Sequence, residues 1–353
     1  MENDSNAVHA ALAAALGSIS KMQDRYADMS DNNCGLFEEL AQSLSPLHYT
    51  EGLYSLITSH MDESFDKGSD GVFVVGGFLG RGVPVFELER NWKKLLERPD
   101  INIAYFKASE CNSGDGEFRK FVADPRNITP EERLKLDSIH QEFLNLIKNP
   151  VPFDDRCWLL VLGLGVVQKD FYDVIQDAKA KAILGSSPYR LAYDFAMIQS
   201  AWTMKQLEQS LEEDRLKRFG DKPSRVHVSF FCDEHQEHGP FAEQAYRNLK
   251  KTNPNAAKYM ASFSMGDDKI FPSLQAADAS AFEVRRALNL SLKNWRGSLR
   301  KQFKSLEGQV MFLIAYCDKR QLLHIVDTHK PGEPFRLDSL MDVQIEENIK
   351  LAI

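Results

Sequence analysis

The chain has 353 residues, of which 43 are Lys or Arg and 51 are Asp or Glu, so its formal net charge is −8 at pH 7. Proteins that hold nucleic acid by bulk positive charge usually contain a basic domain, and this balance excludes that class while leaving room for a local basic groove. The five cysteines include no CxxC pair, which argues against a disulfide framework and a structural zinc site. No positively charged region precedes the first apolar run, and no run of about 18 apolar residues occurs, so we expect a cytoplasmic protein without a membrane partner.

Residues 1–50 are predicted to form a helical N-terminal extension, because their apolar residues recur at helical spacing. After them the pattern changes to that of strands. Three segments rich in Val, Ile, Phe and Tyr follow one another and predict a three-stranded meander: Leu53–Met61, Val72–Leu79 and Ile101–Phe106. This meander opens a core domain that we place over residues 51–290.

Helices and strands alternate in the rest of this core. Thr129 is a predicted N-cap, with Pro130 in the first helical position and Glu132 completing a capping box. Strands that alternate with helices of this length imply parallel pairing through right-handed crossovers. The predicted elements are a helix from Thr129 to Lys148, an apolar run Trp158–Val167, a helix Tyr189–Arg218, a strand Val226–Cys232, a helix Phe241–Lys251, a strand Tyr259–Met265 and a helix Ser273–Leu290.

Residues 291–353 are predicted to form a C-terminal extension. It begins with a basic stretch over residues 293–304, and its two apolar segments, Val310–Tyr316 and Leu322–Asp327, predict a β-hairpin. The fold predicted for the whole chain is therefore of the α/β class. Its mixed sheet combines the meander with βα units and is flanked by helices.

Three aspartates stand out by their positions. Asp62 follows the first predicted strand, Asp233 follows the strand VHVSFFC, and Asp278 lies beside the apolar face of the last core helix. The carboxyl ends of parallel strands meet at one edge of a sheet, where a third carboxylate from a covering helix would complete a site for Mg²⁺ or Mn²⁺. The alternative is that each Asp only forms a turn or caps a helix, as strand-end aspartates often do.

Further candidates lie near these aspartates or near a predicted strand end. One is a lysine suited to a phosphate, and the others are acids or an amide that could support a metal site, although each has a plainer interpretation as a surface or capping residue. These candidates are Lys107, Glu110, Glu63, Glu234 and Gln275. Three histidines, His227, His235 and His238, make zinc an alternative ion, but no matching cysteine set or HExxH helix accompanies them.

The order of five motifs carries a resemblance to a known family. The motifs are MDES, FVVGGFL, YFKASE, VSFFCDE and DDKIFPSLQAADASA, and they cover about residues 51–290. In this order they resemble the domain-of-unknown-function 3800 (DUF3800) family, which is similar to the ribonuclease H-like superfamily. The resemblance implies a ribonuclease H-like sheet whose acidic residues are Asp62, Asp233 and Asp278, with Lys269 and Gln275 in the final motif. Phe65 stands where that family usually has glycine, and Gln168 where it often has an acid.

Two functions of different classes follow. The first is a divalent-metal-dependent phosphodiesterase, a nuclease that hydrolyses nucleic acid by a metal-activated water, with Lys107 or Lys269 contacting a phosphate and Glu110 or Glu63 as a fourth acid. The second is a non-catalytic interaction component of a defence or mobile-element system, which the departures at Phe65 and Gln168 favour. A protein partner or a second copy of the chain would bind through the terminal extensions. A hydrolase of small phosphoesters is a third alternative.

Overall fold

The computed structural model of the protein describes residues 55–65, 71–147, 159–218, 226–235, 238–292, 311–333 and 335. The predicted N-terminal extension over residues 1–50 and the basic stretch over residues 293–304 lie outside this described part. None of the helices within it is both long enough and apolar enough to cross a lipid bilayer.

A six-stranded sheet organises the described residues. The strands are β1 (Ser55–Ser64), β2 (Val72–Arg81), β3 (Leu159–Val167), β4 (Val226–Asp233), β5 (Met260–Gly266) and β6 (Met311–Cys317). Their spatial order is β5-β4-β1-β2-β3-β6. Strand β2 runs antiparallel to β1 and β3, and the β1–β4, β4–β5 and β3–β6 pairs are parallel. The predicted mixed α/β sheet is therefore confirmed.

Helices cover both faces of this sheet. They are α1 (Gly82–Leu96), α2 (Ala108–Ser113), α3 (Pro130–Asn145), α4 (Gln168–Val174), α5 (Ala178–Leu184), α6 (Pro188–Arg218), α7 (Gly239–Thr252), α8 (Pro254–Ala257), α9 (Pro272–Leu292) and α10 (Lys319–Thr328). One core forms between the sheet and α6, and includes Ile57 and Met61 of β1. A second core, which includes Phe78 of β2, forms between the opposite face and helices α1, α3 and α9.

The capping box predicted for the first long helix of the core is present. The Thr129 side chain accepts a hydrogen bond from the backbone N–H of Glu132 at 3.3 Å, and the Glu132 carboxylate accepts one from the backbone N–H of Thr129 at 2.8 Å. This reciprocal pair satisfies two N–H groups that the first turn leaves without helical partners. Helices α6, α7 and α9 are also confirmed, each within a few residues of its predicted bounds.

The predicted third strand over Ile101–Phe106 is wrong. Ile101, Ile103 and Phe106 are buried, but they lie in an irregular segment between α1 and α2, and Asn102 has a φ of 43° that interrupts any extended run. Their apolar character comes from packing under helices, which produces the same composition as a buried strand. The third strand of the meander is β3, and Lys107 is the N-cap residue of α2.

The predicted C-terminal β-hairpin is also wrong. Strand β6 pairs in parallel with β3 at the edge of the sheet, and α10 follows it directly. The Asp318 side chain accepts hydrogen bonds from the backbone N–H groups of Arg320 and Gln321, and Gln321 completes a capping box. A helix therefore begins at the place where the sequence predicted a turn between two strands.

Candidate metal centre

Two aspartates meet at the carboxyl ends of the neighbouring parallel strands β1 and β4. Because Met61 is in register with Cys232, the next residues, Asp62 and Asp233, project to the same face of the sheet. Both are buried, with 2% and 6% of their surface exposed. Asp62 belongs to β1 itself, whereas the sequence analysis placed it just after that strand.

A third aspartate, Asp268, completes this group from the turn after β5. Its backbone N–H donates a hydrogen bond to Oδ1 of Asp233 at 3.1 Å, which ties the turn to the end of β4. Carboxylate oxygens of Asp62, Asp233 and Asp268 all lie within 4.8 Å of one another, and we call these three residues the acidic group. Sequence reasoning missed Asp268, although it lies two residues beyond a parallel strand, at the same sheet edge as Asp62 and Asp233.

Asp278 and Gln275 approach the acidic group from α9, which packs on β1 and β2. Oδ2 of Asp278 accepts a hydrogen bond from the backbone N–H of Ala108 at 2.6 Å. Oε1 of Gln275 accepts bonds from the indole N–H of Trp92 at 2.9 Å and from the backbone N–H of Phe106 at 3.0 Å. Gln275 therefore fixes the segment before α2, and Asp278 holds the start of that helix.

Lys107 places a positive charge beside these carboxylates. Its ammonium group forms an ion pair with Asp268, and 31% of its side chain is exposed. Burial opposes its charge, but the neighbouring carboxylates of Asp278, Asp62 and Asp268 outweigh that effect and raise the pKa of Lys107 above its usual range. Lys107 therefore stays protonated at neutral pH.

The acids themselves are held in an unfavourable environment for ionisation. Burial, followed by the carboxylates of Glu63, Asp278 and Asp233, raises the pKa of Asp62 well above its usual range despite Lys107. Burial also raises the pKa of Asp278 to about 6. One carboxylate oxygen of Asp62, Oδ2, is buried and has no hydrogen-bond partner among the described residues. Several buried carboxylates beside one lysine are costly to ionise unless a further cation accompanies them.

Glu63 points to the opposite face of the sheet, as expected for the residue after Asp62 in a strand. Oε2 of Glu63 accepts a hydrogen bond from the Tyr193 hydroxyl of α6 at 2.9 Å, and Oε1 lies 3.6 Å from Nδ1 of His235. Burial raises the pKa of Glu63 to about 7. Among the described residues, Glu63, His235 and His238 form a second group with ligand atoms within 4.8 Å of one another.

The structure places the other predicted site residues outside both groups. Glu110 accepts a hydrogen bond from the Tyr105 hydroxyl at 3.2 Å and does not join the acidic group. Glu234 is exposed, and its backbone N–H donates to the carbonyl of Gly266 at 2.8 Å. The Lys269 ammonium lies over the Tyr105 ring, 5.3 Å from its centroid.

Comparisons with known proteins assign no relative to this chain. No protein-family model, curated protein or solved structure matches it. The resemblance to the DUF3800 family therefore stays a prediction that rests on its five motifs.

Proposed function

We propose that the protein is a divalent-metal-dependent phosphodiesterase that hydrolyses nucleic acid and has a ribonuclease H-like core. The observation that carries this proposal is the acidic group, in which three buried carboxylates from the ends of β1, β4 and β5 converge within 4.8 Å. The strand order supports the fold assignment, because the antiparallel strands β1, β2 and β3 lie beside the parallel strands β4 and β5, as in the predicted meander followed by βα units.

The residues of the acidic group fit Mg²⁺ or Mn²⁺. All three donors are carboxylates, the ligands that these hard cations prefer. The backbone N–H of Glu63 donates to Oδ1 of Asp62 at 2.7 Å, which orients the carboxylate and leaves the buried Oδ2 for a cation. When bound, such an ion activates a water molecule and neutralises charge on a phosphodiester.

The surrounding residues of the chain would position the substrate. Lys107 is partly exposed at the rim of the acidic group and remains protonated, so it can contact a phosphate oxygen. Asp278 and Gln275 hold the backbone from Phe106 to Ala108, and they thereby fix the position of Lys107. We assign these two residues a positioning role.

If the protein has this activity, we expect it to cleave RNA, DNA or an RNA–DNA hybrid, and we expect the cleavage to require Mg²⁺ or Mn²⁺. In Asp62→Asn we expect a loss on the order of 10²-fold or more, because the buried ligand loses its charge. Asp194→Asn is the matched control, since Asp194 is also a buried aspartate but lies on α6, outside the acidic group. Equal activity of the wild type and Asp62→Asn, or no cleavage of any of the three substrates, contradicts the proposal.

The position of Lys107 supports a second candidate function, that of a non-catalytic interaction protein. An ammonium group already lies among the carboxylates and pairs with Asp268, so the side chain can act as the cation of the site. A fold that keeps an acidic cluster neutralised by its own lysine needs no metal ion. This arrangement suits the interaction component of a defence or mobile-element system that the sequence analysis left open.

Replacement of Lys107 separates the two candidates. If the site binds a metal, wild-type protein binds Mn²⁺ in a calorimetric titration. Lys107→Met then binds Mn²⁺ more tightly, because one positive charge that repels the ion has been removed. If lysine replaces the metal, the wild type binds no Mn²⁺ at millimolar concentration and Lys107→Met gains binding. Lys205→Met on α6 serves as the control for loss of a lysine, because Lys205 lies outside the acidic group.

A further inference from the structure

The second group of potential metal ligands lies behind the first, on the α6 face of the sheet. Consecutive residues of a strand point to opposite faces, so the side chains of Asp62 and Glu63 lie on opposite sides of the sheet. Asp62 faces α9 together with the acidic group, whereas Glu63 faces Tyr193 of α6 and the two histidines. We propose that Glu63, His235 and His238 form a separate transition-metal site, here called the histidine site, which prefers Zn²⁺ to Mg²⁺.

The Glu63 carboxylate is oriented toward the histidines. The Tyr193 hydroxyl donates to Oε2 at 2.9 Å, so this oxygen already has a partner in the buried interior. Oε1 is directed to His235, with 3.6 Å between it and Nδ1. A hydrogen bond to one oxygen of a ligating carboxylate is a common second-shell feature of metal sites, because it fixes the orientation of the ligand.

An aromatic environment fixes the His238 ring. His238 is fully buried and stacks on Tyr189, with ring centroids 4.1 Å apart. The rings of Phe65 and Phe73 approach its edge or face at 5.3 and 6.0 Å. A ring held on several sides by aromatic groups keeps its nitrogens in a defined direction, which reduces the entropy lost when an ion binds.

His235 supplies the second imidazole of the site and a route from solvent. Its ring stacks on that of His238 at a centroid distance of 4.7 Å and an interplanar angle of 11°. Nδ1 of His235 accepts a long hydrogen bond from the backbone N–H of His238 at 3.3 Å, and an ion bound at this nitrogen would replace that bond. Because 41% of the His235 side chain is exposed, an ion can enter past this ring.

The donor chemistry determines the preferred ion. Two imidazoles and one carboxylate form the three-residue set used by open zinc sites, and imidazole is a poor ligand for Mg²⁺. Ligands of a tetrahedral zinc ion, each about 2.0–2.1 Å from it, lie about 3.3–3.4 Å from each other. The ligand atoms here lie within 4.8 Å of one another and the two imidazole rings are stacked, so the half-exposed His235 ring must rotate to close the site around an ion. The acidic group has no nitrogen donor, so the two sites would select different metals.

A zinc titration of the full-length, chelator-treated protein tests the histidine site. We expect the wild type to bind Zn²⁺ by calorimetry, and to give a visible absorption spectrum typical of nitrogen ligation when Co²⁺ replaces Zn²⁺. His235→Ala should weaken Zn²⁺ binding on the order of 10²-fold and remove this spectrum. His324→Ala, at an exposed position of α10, is the matched control and should bind as the wild type does.

Further variants distinguish this site from the acidic group. Asp268→Asn should leave Zn²⁺ affinity unchanged and impair only Mn²⁺ binding, so the histidine site can hold even if the proposed nuclease activity fails. Glu63→Gln provides a second ligand variant, and circular dichroism verifies that each variant is folded. Absence of Zn²⁺ binding in the wild type, unchanged binding in folded His235→Ala, or loss of Zn²⁺ binding in Asp268→Asn would each overturn the proposal.

Discussion

In metal-free buffer at pH 8, Asp62→Asn should be more stable than the wild type by about 2–4 kcal/mol, although it loses Mn²⁺ affinity. Burial and the carboxylates of Glu63, Asp278 and Asp233 raise the pKa of Asp62, so its ionised form destabilises the folded state. Asparagine has nearly the same shape without the charge. Urea denaturation in the presence of a chelator measures the gain, and a Mn²⁺ titration measures the loss.

The gain in stability should grow with pH. An acid whose pKa is higher in the folded than in the unfolded state binds more protons when folded, so the free energy of unfolding falls as the pH rises through that interval. For Asp278 and Glu63 the interval extends from the ordinary carboxyl range to about 6 and about 7. These two acids should therefore lower wild-type stability up to about pH 7. Asp62, whose pKa is also raised, adds to the decline, and Asp62→Asn should remove that part of it.

Asp194→Asn again provides the comparison. Burial raises the pKa of Asp194 to about 7, so its replacement should also stabilise the protein at pH 8. Only Asp62→Asn should combine greater stability with loss of Mn²⁺ binding, the trade-off expected where a destabilising arrangement serves a function. An Asp62→Asn variant that is less stable than the wild type at pH 8 would contradict the electrostatic argument.

Gly77→Ala should lower the free energy of unfolding by about 4 kcal/mol or more, or prevent folding. Gly77 of β2 has a φ of 152°, which residues with side chains rarely adopt. A Cβ atom at this position would lie 1.9 Å from the backbone carbonyl oxygen of His60 in β1. Since neither backbone can move without breaking the β1–β2 ladder, the overlap cannot be relieved locally. Urea denaturation or the yield of soluble protein measures the effect.

Gly185→Ala separates the backbone strain at a positive φ from the clash of a new Cβ atom, the two causes of the lower stability expected for Gly77→Ala. Gly185 also has a positive φ, 81°, but a Cβ atom there would meet nothing within 4 Å. With a ψ of −169° this residue lies in a backbone region that almost only glycine occupies, so its replacement should produce only backbone strain, about 1–3 kcal/mol. Equal destabilisation by the two substitutions would show that the contact with His60 is not responsible.

The sequence predicted those parts of the molecule whose periodicity is long and undisturbed. The helix α9 and the strands β1 and β4 were foreseen, and with them the proximity of Asp62 to Asp233 at a shared sheet edge. The segment Ile101–Phe106 misled the prediction because a loop buried beneath helices has the same apolar composition as a strand. In α10, Leu322, Ile325 and Val326 follow a helical period, but the short segment also resembled a strand.

The acidic group could be predicted only in part. Asp268 became a candidate only when the sheet order placed β5 beside β4, and a single sequence does not reveal which strands are neighbours. Its neighbour Asp267 is exposed, whereas Asp268 is buried. Only the conformation of the turn shows which of these two consecutive aspartates faces the site. The grouping of Glu63 with His235 and His238 likewise depends on which face of β1 each residue occupies.

Two glycines of β2 determine which acid faces which helix. Gly76 lies opposite Asp62 and so close to Ala281 of α9 that a Cβ atom would come within 2.8 Å of the helix backbone. Gly77 lies opposite Met61, where the His60 carbonyl leaves room for no side chain. If β1 slipped by one residue, Asp62 and Glu63 would exchange faces, and every side chain of the strand would invert with them. The two glycines therefore fix the register of β1 against β2, and this register assigns Asp62 to the α9 face and Glu63 to the α6 face.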